Sequence, residues 1–419
     1  MKILYLSFNF EPDLGPCAFR NTSVVNELAT FLSADDSIHV ITSQPNRYKS
    51  FTAIAPAYEE RITDGGRIII ERIPVPTHSN GFRDQIYSFQ TYCWAAYQLA
   101  QKNKYDLVVA SSSRLFTAFT GALLARRSFA LGKGRVPLFL DIRDLFREAI
   151  LDVLKNPLAR LLLNPALKVV EQFTFSHANH INMVSEGFRP YFEAYAKATY
   201  SCLTNGIDDE FLSPFLLTVP SALQPDRSVL GRKYRTVRTI LYAGNIGEGQ
   251  GLHKIIPQAA HKLGSEYKFV IIGDGGARPK LESIIQSENI QNVELRKPVE
   301  RSALLIEYQQ ADYLFVHLND LEACKRVLPS KLFEYGATNK PVLAGVAGYA
   351  ASFIRSHLTN SIVFDPGDAE SLARQLRETP YYVEERKEFK AKFQRKAISR
   401  EMARQILKTM HLHQVSAEL

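Results

Sequence analysis

Short apolar runs rich in β-branched residues alternate with longer helical patterns from one end of this 419-residue chain to the other. This alternation constrains the fold more than any other feature. Strands that are apolar on both faces must be covered on both faces, and helical crossovers supply that cover. Strands are predicted at 2–8 (KILYLSF), 38–42 (IHVIT), 67–73 (RIIIERI), 106–111 (DLVVAS), 137–142 (PLFLDI) and 180–185 (HINMVS). Helices fit 19–33, 85–102, 115–130 and 158–178. The pattern then restarts, with strands at 238–244, 268–273, 292–296, 311–317, 340–345 and 360–364. The second set of helices fits 252–263, 277–288, 301–310, 330–338, 349–357 and 368–378. Two such arrays imply two doubly wound α/β domains, over 1–205 and 237–394. The proline-bearing segment 206–236 reads as a linker between them. A basic helical stretch, 384–413, follows, and the helix from about 395 to 419 is expected to join the first domain. Open sheets of this kind take ligands at the carboxyl ends of their strands, so two of them face to face would form a cleft.

Bulk properties narrow the function. Hydrophobic residues make up 46% and charged residues 22%, a composition that supports a large core and argues against disorder. The formal net charge of +8 suits anionic partners such as nucleotides, phosphorylated lipids or an acidic membrane surface. It is too diffuse for a dedicated nucleic-acid binder. Cys17, Cys93, Cys202 and Cys324 lie far apart and form no CxxC pair, so free thiols in a reducing compartment are expected. The N-terminus reads as a buried first strand rather than a signal peptide. No apolar run reaches the length of a membrane span.

Chemistry concentrates in a few blocks. Residues 241–251 (LYAGNIGEGQG) place Gly244, Gly247, Gly249 and Gly251 between a strand and a helix. Glycines there let backbone N–H groups approach an anion, and the helix from Leu252 adds its positive end. The spacing matches neither a dinucleotide fingerprint nor a Walker A loop, so a tight turn and a phosphate cradle both remain open. The next strand also ends in a Gly-rich turn, IIGDGG (271–276). In VLPSKLFEYGATNKPVLAG (327–345) a helix begins near Ser330 and sets Lys331, Glu334 and Tyr335 on one face. A surface Lys–Glu pair is the plain alternative. TNGIDDEF (204–211) directly precedes the linker. DIRDLF (141–146) ends a strand. Arg143 and Asp144 there either contact a substrate or form a buried pair holding the strand end, and Glu148 lies one helical turn beyond. His177 and His180 (HANH) lack an evident third partner for a metal. The apolar segments 115–130 and 158–170, with Arg126 and Arg127 ending the first, could rest on an anionic membrane. Core packing is the favoured reading for most of their length.

Taken in order along nearly the whole chain, LYAGNIGEGQG, IIGDGG, PSKLFEY, DIRDLF and TNGID resemble blocks of the retaining glycosyltransferases of family 4, which have the two-domain GT-B fold. They are most similar to the bacterial branch that builds surface polysaccharides, including N-acetylfucosamine transferases of O-antigen and capsule assembly. The resemblance implies a glycosyltransferase with two Rossmann-like domains facing across a cleft. It implies a nucleotide-diphosphate sugar as donor, with UDP favoured, and no bound metal. The acceptor would be a polyprenyl-diphosphate-linked sugar or oligosaccharide, with nucleic acid excluded as a partner. A cytoplasmic chain peripheral on the inner face of the cytoplasmic membrane follows. Glu334, Lys331 and Arg326 would form the catalytic set. Gly15, Gly244, Asn245, Gly247, Gln250, Gly273, Ser330 and Glu334 would hold the donor, with Glu334 on the ribose hydroxyls. Arg143 and Asp144 would be acceptor or cleft residues. Three departures stand out: Arg326 replaces the first glutamate of a paired motif, and Asn245 and Gln250 stand where relatives carry Arg and Lys. Charge on the diphosphate would then fall to Lys331 and Arg326, helped by the backbone amides of Gly247 and Ser330. A nucleotide-sugar epimerase shares the fold but uses clustered carboxylates and histidines not evident here. A degenerate, non-catalytic paralogue is the remaining alternative.

Overall fold

The computed structural model describes residues 1–13, 15–46, 54–76, 82–112, 115–130, 136–153, 156–193, 195, 198–212 and 237–418. The chain divides into two units, residues 1–206 with 395–419, and residues 207–394.

The first unit is built on an eight-stranded sheet in the order β3-β4-β2-β1-β5-β6-β7-β8. Its strands are β1 (Lys2–Ser7), β2 (Ser37–Ser43), β3 (Tyr58–Ile62), β4 (Arg67–Ile73), β5 (Leu107–Ser112), β6 (Leu138–Ile142), β7 (His180–Met183) and β8 (Thr199–Cys202). All neighbours are parallel except β3 and β4. The crossovers are α1 (Pro16–Ala29), α2 (Phe82–Ala100), α3 (Leu115–Ala130), α4 (Phe146–Val153), α5 (Pro157–Ser176) and α6 (Arg189–Phe192). Ile3, Tyr5, Val40, Ile70, Val109 and Phe139 meet Val24, Val25 and Leu28 of α1 in one core, which Met402, Ala403 and Ile406 complete from the C-terminal helix. The six strands expected from apolar runs are present. β3 and β8 were not expected, because YEERI and TYSC have no continuous apolar run. β3 is an edge strand with alternating exposure, and its charges keep the open edge from pairing with another chain.

The second unit is a six-stranded, wholly parallel sheet in the order β11-β10-β9-β12-β13-β14. A short α7 (Asp209–Leu212) precedes β9 (Arg238–Ala243), α8 (Leu252–Leu263), β10 (Tyr267–Ile272), α9 (Arg278–Ser287), β11 (Val293–Arg296) and α10 (Arg301–Gln310). Then come β12 (Tyr313–His317), α11 (Glu322–Arg326), α12 (Lys331–Ala337), β13 (Val342–Gly345), α13 (Gly348–His357), β14 (Ser361–Phe364), α14 (Ala369–Glu378) and α15 (Lys387–Lys392). Apolar faces of α8 and α14 close one side of this sheet around Ile240, Phe269 and Phe315.

Two expectations need correction. The basic stretch 384–413 is not one helix: α15 stops at Lys392, and α16 (Arg395–Glu418) starts after Phe393 and Gln394, where the chain passes from one unit to the other. Segment 158–170 is not mainly core. α5 exposes Leu158, Leu161 and Leu162, whereas α3 buries Leu115, Ala118, Ala122, Leu124 and Ala125 as expected. Most of the linker, 213–236, lies outside the described residues. No described helix is long and apolar enough to cross a membrane.

Candidate functional site

Strand order in the second unit reverses at β9, with β10 and β11 on one side and β12, β13 and β14 on the other. A reversal of this kind leaves a crevice outside the carboxyl end of the central strand, because neighbouring crossovers depart to opposite faces. Residues 244–251 (GNIGEGQG) occupy that end, between β9 and α8. Gly244 has φ +146°, and a Cβ there would lie 2.1 Å from Nζ of Lys331. Gly273, ending β10 at φ +155°, would place a Cβ 1.8 Å from the carbonyl oxygen of Gly244. Both positions therefore need glycine: one admits a lysine side chain, the other lets two strand ends touch. A Cβ on Gly249 or Gly276 would meet nothing within 4 Å, so sterics do not explain those two.

Lys331 is the first residue of α12, and its ammonium stands 5.6 Å from the centroid of the Tyr242 ring, one residue from the end of β9. Ser330 precedes it in a helical conformation with no side-chain cap. Glu334 follows one turn later, and its Oε2 accepts a hydrogen bond from the Tyr308 hydroxyl of α10 at 2.8 Å. Burial first, and then the Glu334 carboxylate, push the Tyr308 phenol well above its ordinary value, so it stays protonated and donates. Among the described residues no donor reaches Oε1 of Glu334. Arg301 stands nearby on α10. It pairs with Asp208 and Glu210, and its guanidinium lies 5.2 Å from the ring centroid of Phe211. Burial works against its charge, but Asp208, Glu334 and Glu210 outweigh this and raise its pKa. The aspartate of TNGID thus braces the helix that carries Tyr308. Arg326 ends α11, half-buried.

The glycine loop is braced from within. Oε1 of Gln250 accepts from Nδ2 of Asn245 at 2.9 Å and from the Gly247 N–H at 3.2 Å. The Gly247 amide, expected to face a phosphate, thus donates inside the loop here. Asn245 and Gln250 also hold each other. The Tyr242 hydroxyl donates to the Asn245 carbonyl at 2.6 Å, and the Asn319 N–H donates to the Gly249 carbonyl at 2.8 Å. His317, at the end of β12, links the loop to a second segment. Its Nδ1 lies 2.6 Å from the Gln250 carbonyl, and its Nε2 accepts the Gly367 N–H at 2.9 Å. Those two partners fix the neutral Nδ1–H tautomer. Burial lowers its pKa to about 4. Sequence reasoning missed His317, Tyr308 and Arg301. His317 ends an apolar strand and Tyr308 lies on a helix, and neither falls in a recognisable motif.

In the first unit Gly15 is the extended N-cap of α1, at φ 173°. The buried Asp–Arg pair at the end of β6 exists, but its members are Asp141 and Arg20, not Asp144 and Arg143. Nε and Nη2 of Arg20 reach the two carboxylate oxygens at 2.9 and 3.0 Å. Arg20 also donates to the carbonyls of Thr204 and Leu203, at 2.6 and 2.8 Å, so it ties α1 to the start of TNGID just past β8. Burial alone would raise the pKa of Asp141, but the Arg20 charge outweighs it and holds the value below the ordinary one. Arg143 is 8% exposed and its Nε has no partner among the described residues, whereas Asp144 is exposed. Glu148 lies on α4, half-buried. His180 is held by Thr199 and Ser201 and stacks on Phe139, and Nδ1 of His177 lies 2.6 Å from the Phe173 carbonyl. Those contacts are structural. Among the described residues no three His, Cys, Asp or Glu side chains are grouped to hold a metal ion.

Residues 230–399 match the family model described as Glycosyl transferases group 1, so the second unit carries a domain of that type. The chain is 38% identical over 96 residues to the putative colanic acid biosynthesis glycosyl transferase WcaI of Escherichia coli (strain K12). That stretch covers 23% of this chain and 23% of the relative. Solved structures of similar fold include sucrose-phosphate synthase from Thermosynechococcus elongatus, with a TM-score of 0.67 at 14% identity over 98% of this chain and 99% of that one. Another is Anabaena Alr3699/HepE in complex with UDP and glucose, with a TM-score of 0.57 at 17% identity over 100% and 99% of the two chains. These likenesses show the fold, two parallel-sheet α/β units of the GT-B class.

Proposed function

We propose, for a chain whose residues 230–399 form a glycosyl transferases group 1 domain, that it moves a sugar from a UDP-linked donor to a lipid-linked sugar acceptor in cell-surface polysaccharide assembly. The observation that carries this reading is Lys331 lying across Gly244 at the carboxyl end of β9, one helical turn from Glu334. A lysine there meets a diphosphate as a point charge. Glu334, with Oε2 engaged by Tyr308, offers Oε1 to the ribose diol. Arg326 adds positive charge from the neighbouring helix. UDP bound to HepE and the polysaccharide role of WcaI support the choice of donor and pathway class. The transfer retains configuration. The bond from the anomeric carbon to the diphosphate oxygen breaks, the acceptor oxygen bonds to the same face, and the acceptor proton passes to the departing phosphate. Lys331 stabilises the charge that develops on that phosphate.

Calorimetric titration with UDP tests the reading. Lys331→Ala should weaken UDP binding about tenfold or more, in line with loss of a charge-assisted hydrogen bond worth roughly 1.5–3 kcal/mol. Gly244→Ala keeps the lysine but pushes its ammonium aside, and should weaken binding comparably. Unchanged UDP affinity in Lys331→Ala would overturn the assignment.

A further inference from the structure

The backbone carbonyls of the glycine loop, from Asn245 to Gln250, are each held by a neighbour. The Asn245 carbonyl accepts from the Tyr242 hydroxyl at 2.6 Å, and that of Ile246 accepts from the Ala277 N–H at 2.9 Å. Gly247 accepts from the N–H groups of Gln250 and Gly251 at 3.2 and 3.3 Å. Glu248 accepts from Nδ2 of Asn319 at 3.1 Å, and Gly249 from the Asn319 N–H at 2.8 Å. Nδ1 of His317 lies 2.6 Å from the Gln250 carbonyl. None of these contacts uses the Gln250 side chain. Its Oε1 instead lies between two donors, Nδ2 of Asn245 at 2.9 Å and the Gly247 N–H at 3.2 Å. A glycine loop ahead of a helix holds a phosphate oxygen in this manner, with convergent N–H groups. The position is three residues from Gly244, against which the Lys331 ammonium lies. Asn245 is exposed and Gln250 half-buried, so the amide can swing out into solvent without disturbing packed side chains.

We propose that the Gln250 amide is a gate on the diphosphate position: its oxygen stands where a phosphate oxygen of the donor binds, and it must leave when UDP enters. A phosphate oxygen carries charge and accepts from the two donors more strongly than a neutral amide oxygen, so the exchange is favourable. It still costs the two internal hydrogen bonds. The loop is thus preorganised with its donors already aimed, and its affinity for UDP is set lower than the same backbone gives without the glutamine. A neutral side chain at this position does more than forgo a charge, because it competes with the ligand. The inference deepens the UDP-linked donor reading and rests on it.

The full chain is titrated with UDP by calorimetry and with uridine, which lacks the phosphates, by ligand-observed NMR. Gln250→Ala frees both donors while the carbonyl contacts hold the loop. It should bind UDP about fivefold more tightly, the worth of one net hydrogen bond, and bind uridine as the wild type does. Gln250→Glu should bind UDP at least about tenfold more weakly, since a carboxylate holds the two donors harder and repels the diphosphate. Its uridine affinity should also stay at the wild-type value. A role in loop stability alone would move UDP and uridine together and would weaken both in the alanine variant. UDP affinity unchanged or reduced in Gln250→Ala, or an equal change for uridine, would overturn the inference. Lys331→Ala run in parallel separates the two readings. If it loses UDP affinity and Gln250→Ala gains none, the donor site stands and the gate alone falls. A wild type that binds no UDP would overturn both.

Discussion

Protonating His317 should loosen the glycine loop of the second unit. The ring is 1% exposed and lies between backbone groups of opposite polarity, the Gln250 carbonyl and the Gly367 N–H. The neutral Nδ1–H tautomer satisfies both. An imidazolium would turn a second proton against the Gly367 N–H. Burial holds the pKa down to about 4, against a weaker upward pull from the Gln250 carbonyl. The sign follows from linkage. A base whose folded value lies below its ordinary value of 6.5 is fully stabilising above that pH. Its contribution is lost as pH falls toward 4, because the unfolded chain takes up the proton first. At about 1.4 kcal/mol per pH unit, ~2 kcal/mol is lost between pH 6.5 and 5. The comparison protein is His317→Phe. It leaves two buried backbone groups unpaired, at a cost of about 2–5 kcal/mol at pH 7.5. Denaturant titrations of both proteins from pH 7.5 to 5 should show the stability gap narrowing by ~2 kcal/mol. His39 and His180, also lowered to about 4 by burial, are present in both proteins and cancel in the difference. Nitrogen-15 spectra should show Nε2 unprotonated down to pH 5. A His317 resonance titrating near 6.5, or a gap that does not change with pH, would refute the reasoning.

Tyr308→Phe removes the donor to Oε2 of Glu334 and should raise the donor KM about tenfold, with kcat changed less. Steady-state kinetics checks this, and a fall confined to kcat would count against a ground-state role. Asp141→Ala leaves the Arg20 guanidinium buried without its carboxylate and should cost about 3–5 kcal/mol, read as a lower thermal midpoint. The double variant Arg20→Leu/Asp141→Leu should lose less. Since Arg20 holds the pKa of Asp141 below its ordinary 3.8, this contribution is intact above that pH and disappears as pH falls below it, which acid titration of the wild type would detect.

Apolar runs were enough to find twelve of the fourteen strands among the described residues, because a parallel strand buried on both faces has no polar alternation to disguise it. The two missed strands, β3 and β8, are edges whose polar sequences make sense only beside a partner strand. Gly244 and Gly273 were visible as glycines, but their reasons were not: a lysine from a helix more than eighty residues away, and a carbonyl at the end of the neighbouring strand. DIRDLF stood out, yet its buried carboxylate pairs with Arg20 of α1, which no local pattern could indicate. The leucines of α5 read as core because periodicity reports that a helix has an apolar face and not what covers it. Sequence by itself therefore determined the two parallel α/β arrays, since each strand's burial is written into its own few residues. Only the tertiary structure decided which polar groups meet at the ends of those strands, because hydrogen bonds and charges act over a few ångströms between segments that the chain order keeps far apart.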